Sequence, residues 1–82
     1  MGAREDTGMT YSYDRKVGLQ IRNARERRKL TQEQLSAQLQ TRGCDVTRSA
    51  LAKIEAGQRH IYVYELRVLR ELLDVPYEEL LP

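Results

Sequence analysis

Apolar residues recur along this chain at helical spacing, and the breaks between the recurrences divide it into short segments. From Asp14, a good N-cap, the pattern predicts a helix to about Lys29, with Val17, Ile21 and Ala24 on one stripe, Arg28 extending it by its stem, and Leu19 on the opposite side. Thr31-Gln32-Glu33-Gln34 has the form of a capping box and predicts a second helix over about Gln32–Gln40, burying Leu35 and Leu39, with Ser36 and Ala37 permitting close approach. Thr41 to Asp45 reads as a turn around Gly43. Thr47 then caps a third helix, with Leu51 and Ile54 facing inward and Gly57 at the position where helices end. Glu55 opposes the dipole at that end, so a cationic partner is expected for it.

A fourth helix is expected over about Val63–Leu73, halted by Pro76, and a last helical turn over Tyr77–Leu81. The fourth carries two apolar groups. Leu66, Leu69 and Leu73 suit the core; Tyr64, Val68 and Leu72 form either further core packing or a surface for a partner. Residues 1–13 are small and polar without periodicity and read as a flexible tail, leaving 14–82 as one all-α domain.

Composition sharpens this picture. In 82 residues there is no Phe or Trp, so the core is aliphatic, and a roomy substrate cleft is not expected. Charge is sorted along the chain: residues 1–14 carry −2, residues 15–59 carry +7 and residues 60–82 carry −3. A basic middle suits a polyanion, and an acidic end would face away from it. No apolar run is long enough to span a bilayer, and the start of the chain has no signal-like apolar centre, so a cytoplasmic address is expected. One Cys and one His supply no metal set, and no phosphate loop or converging acid pair is present; neither an enzyme nor a cofactor is expected. Cys44 reads as a small buried hydrophobe, His60 as ordinary surface, and Tyr11 and Tyr13 as packing on the first helix.

Two short capped helices among basic residues are the parts of a helix-turn-helix, whose second helix enters the major groove. On the third helix here, Arg48, Ser49, Ala52 and Lys53 lie away from Leu51 and Ile54 and include no acid. Arg48 can donate two bonds to a guanine, Lys53 can reach a base or phosphate, and Ala52 permits close approach.

The segments Val17-Gly-Leu-Gln-Ile-Arg22, Lys29-Leu-Thr-Gln-Glu-Gln-Leu35, Thr47-Arg-Ser-Ala-Leu-Ala-Lys-Ile-Glu-Ala-Gly57 and Leu72-Leu-Asp-Val-Pro-Tyr-Glu-Glu-Leu-Leu81 resemble the phage-repressor and Cro-type, or XRE-like, helix-turn-helix family. The resemblance implies a compact five-helix bundle of the lambda-repressor type that binds double-stranded DNA, usually as a homodimer. It implies base reading by Arg48, Ser49 and Lys53, and backbone contacts by Gln32 and Thr47, by Arg42 in the loop and by Arg59 in the connector. It also implies an ion pair of Arg25 with Glu55. The loop Gln40–Val46 is longer than in the best-known repressors, although a subgroup carries a similar Arg-Gly-Cys insertion. The functional expectation is a regulator, and specifically a repressor, on a palindromic operator. The alternative is an antitoxin-like or bridging module that docks a partner through Tyr64, Val68 and Leu72.

Overall fold

The computed structural model describes residues 2–82, with side chains from residue 13 onward. Five helices follow one another: α1 (Gly2–Arg27), α2 (Gln32–Thr41), α3 (Arg48–Glu55), α4 (Val63–Leu73) and α5 (Tyr77–Leu80). No strand occurs among the described residues. The helix expected from an Asp14 cap runs from Gly2 instead, so Asp14 is an interior helical residue. Residues 1–12, on which the expected tail falls, lie outside those with described side chains, and so does Tyr11. At its other end α1 stops at Arg27; Arg28 is exposed and Lys29 takes a left-handed φ of 58°, which turns the chain toward α2.

Local chemistry accounts for the element ends. The Thr31 hydroxyl accepts from the Gln34 amide at 3.0 Å and the Gln34 side chain accepts from the Thr31 amide at 2.8 Å, so two of the free donors at the start of α2 are satisfied. Thr47 does the same for Ala50 at 3.1 Å. α4 ends at Asp74 with φ 55°, one of the few non-glycine types that tolerate this conformation.

The core is one cluster to which every helix contributes: Val17, Ile21 and Ala24 of α1, Leu35 and Leu39 of α2, Leu51 and Ile54 of α3, Leu69 and Leu73 of α4, and Leu80 of α5. The long loop joins it. With Gly43 at φ 85°, the chain folds back so that the Cys44 amide donates to Leu39 O at 2.9 Å and the Gln40 side chain donates to Val46 O at 3.2 Å. Cys44 and Val46 are thereby buried, and the extra residues are anchored to the core rather than looped into solvent. Of the second apolar group on α4, Val68 and Leu72 are half-buried against the core, while Tyr64 is 58% exposed.

Candidate nucleic-acid interface

α3 owes its position to two close approaches and one ion-pair network. Gly18 of α1 lies against its C-terminal end: a Cβ on Gly18 would sit 2.2 Å from the Ile54 carbonyl oxygen, so only glycine lets the two backbones touch. Gly57, at φ 74°, passes equally close to Arg15. Glu55 then receives donors from two other helices. Arg25 Nε and Nη2 reach its two oxygens at 2.7 and 3.0 Å, and Gln32 Nε2 donates to Oε1 at 3.0 Å. Arg25 also donates to Leu30 O at 2.7 Å, at the α1–α2 turn. The Glu55 hydrogen bond holds the Arg25 guanidinium above its ordinary pKa despite burial, so the charge persists. One carboxylate thus fixes α1, α2 and α3 relative to one another.

With its inner side held, α3 presents Arg48, Ser49 and Lys53 to solvent and half-buries Ala52 between them. Leu51 and Ile54 are fully buried on the opposite side. The exposed side carries two cations, a hydroxyl and a methyl group, and no acid. A depression lined by Arg25, Thr31, Gln32, Glu33 and Arg48 joins the start of α2 to the start of α3. Gln32 and Arg48 therefore border one surface, and Thr47 lies exposed next to Arg48.

Arg42 and Arg59 each meet an acid of α4. The Arg42 guanidinium pairs with Glu71 of α4 and holds that carboxyl below its ordinary pKa. Arg59 grips Glu65 with two bonds of 2.9 and 3.0 Å and donates a third to His60 O at 3.1 Å. Burial raises the Glu65 pKa, but the Arg59 hydrogen bonds, the Tyr62 amide at 3.1 Å and the Arg59 charge together outweigh it, leaving the carboxyl lowered. Glu65 and Glu71 supply acids that lie 6 and 29 residues away in sequence. Arg42 therefore braces the loop on α4, and Arg59 braces the connector on the start of the same helix. His60 is exposed, with Nδ1 2.6 Å from an Asp14 carboxylate oxygen.

Reading the sequence missed Gly18, Val46 and Glu65. Gly18 sits inside a helical pattern where a small residue has no visible reason. For Glu65, a signal was present: it stands three residues after the residue preceding α4, the place from which a glutamate serves a helix start. The exposed apolar surface also differs from the expected stripe. It is a run at the start of α4, with Tyr62 60%, Val63 85% and Tyr64 58% exposed, and the Tyr62 and Tyr64 rings stacked with centroids 6.0 Å apart. Leu19 is 52% exposed on α1.

Among the described residues, no helix is long and apolar enough to cross a membrane. Comparison with curated proteins finds no match, and comparison with solved structures finds none either. A comparison with protein families matches residues 18–82 to the helix-turn-helix domain. That span includes Gly18 against α3 and the Arg25, Gln32 and Glu55 network that holds it. The chain belongs to the helix-turn-helix domain family, of the Cro-like type, and this membership marks it as a DNA-binding regulator.

Proposed function

We propose that the protein is a transcriptional repressor that binds a palindromic operator as a homodimer, with α3 of each copy in the major groove. The observation that carries this reading is the acid-free outer face of α3, held at a fixed angle to α2 by Glu55 between Arg25 and Gln32. Arg48 is the residue for a guanine edge, Ser49 and Lys53 read neighbouring positions, and Gln32 and Thr47 meet phosphates beside them. Arg42 in the loop and Arg59 in the connector are the further backbone contacts, each exchanging its acid partner for a phosphate. A second copy docks at the start of α4, where Tyr64 stands beside Val63 and Tyr62, with half-buried Val68 and Leu72 beneath. Two copies place two α3 helices about one helical turn of DNA apart, roughly 34 Å.

The exposed apolar run at residues 62–64 also favours a second reading, in which this face docks a different protein and the domain is an antitoxin-like or bridging subunit. Selection of binding sites from a random duplex library separates the two. The repressor reading expects enrichment of a two-fold-symmetric motif, lost with Arg48→Ala. Absence of any motif, with binding to a partner abolished by Tyr64→Glu, would overturn it in favour of the second.

A further inference from the structure

The groups beside the C-terminal half of α3 come from α1, and their chemistry extends the surface described above. At 100° per residue, Arg15, Arg22 and Leu19 lie about 40–100° around α1 from Gly18, on the flank next to its contact with α3. A depression lined by Arg22, Gln32, Ala52 and Ala56, with Arg25 and Glu55 at its floor, puts Arg22 beside the outer face of α3. A second, lined by Arg15, Lys16, Leu19, Glu55 and Ala56, continues along α1 past the end of α3. Lys16 is exposed and meets no acid among the described residues. Arg22 meets only Glu26, at 3.2 Å, in a pair whose side chains are 57% and 52% exposed; such a pair is weak enough for the guanidinium to leave it. The backbone contact at Gly18 sets α1 at a fixed height relative to α3 and places Arg22 on this flank; Lys16 lies about 160° around α1 from Gly18 and borders the surface through the second depression.

We infer that Lys16 and Arg22 of α1 form a phosphate clamp that grips the DNA backbone beside the C-terminal half of α3, independently of base sequence. The inference rests on the reading of α3 as the groove-entering helix. It adds α1 to the backbone contacts proposed for Arg42 and Arg59, whose guanidinium groups meet Glu71 and Glu65. Glu26, on the same flank, weakens the clamp by holding Arg22.

The test is the salt dependence of affinity of the full chain for the selected duplex and for a scrambled one. Each phosphate contact contributes about 0.9 to the slope of log affinity against log salt. The double variant Lys16→Gln, Arg22→Gln is expected to flatten the slope by about 1.8 on both duplexes, with the preference between them unchanged. Glu26→Gln is expected to act in the opposite direction, tightening both. Arg67→Gln removes one positive charge, half of what the double variant removes, from an exposed site on α4 and gives the effect of net charge per charge lost. All these side chains are exposed, and thermal melts check that the variants fold. A flattening for the double variant no greater than twice that of Arg67→Gln overturns the clamp while leaving α3 as the reader. Failure of the wild-type chain to bind either duplex overturns both.

Discussion

Glu55 is the residue on which the arrangement of the site turns. A buried carboxylate at the C-terminal end of a helix faces an unfavourable dipole and loses its water, and the Arg25 fork and the Gln32 amide replace what it loses. Arg25→Ala leaves that charge buried with one donor, and a loss of about 3 kcal/mol is expected, seen as a melting temperature well below that of Arg67→Ala. Equal melting temperatures would contradict this. Gly18→Ala pushes a methyl group into the Ile54 carbonyl, and about 1–3 kcal/mol of destabilisation is expected in urea unfolding, together with weakened DNA binding as α3 shifts. Glu65 carries a pH dependence. Its folded pKa lies below the ordinary glutamate value of 4.5, so its contribution is fully present above that value and is lost as pH falls below it through the folded pKa. Urea unfolding of Glu65→Gln from pH 7 down to pH 3 is expected to show a flatter acid limb than the wild type; parallel limbs would refute the role of the Arg59–Glu65 pair.

Periodicity and capping made most elements legible because each rests on residues three or four positions apart. The Thr31 and Thr47 caps, the turn at Gly43, the end near Gly57 and the bounds of α4 are all local. The start of α1 was misread because Asp14, a good cap residue, also serves inside a helix, with its carboxylate beside His60. Glu55 betrayed its need of a distant cation by its place at a helix end, whereas nothing local marks Arg42 or Glu71, which lie 29 residues apart, as partners. The fold around α3 follows from its pattern, but the part of α1 beside it follows only from the packing at Gly18. At the scale of this element, Arg48→Ala and Lys53→Ala are expected to leave stability unchanged and to reduce discrimination at defined base positions by about 1–3 kcal/mol each. Binding assays against single-base operator variants read this directly, and uniform weakening at every position would show that neither side chain contacts bases.

Across the whole molecule, charge is distributed as the fold requires for docking on a polyanion. Arg22 of α1 and Arg48 of α3 border neighbouring depressions that share Gln32, while Glu65 and Glu71 are taken up by arginines and Glu79 meets Arg27 at 2.7 Å on the α5 side. For the proposed homodimer, Tyr64→Glu is expected to leave the chain monomeric in analytical ultracentrifugation, with its operator affinity reduced to that of one half-site. A dimer that survives this change would place the interface elsewhere. Repeating the site selection with Arg48→Ala and Lys53→Ala tests whether the outer face of α3 reads base sequence. A two-fold-symmetric motif is expected for the wild type, and each variant is expected to lose preference at matching positions in both half-sites. Recovery of the unchanged motif with both variants would contradict base reading by this face.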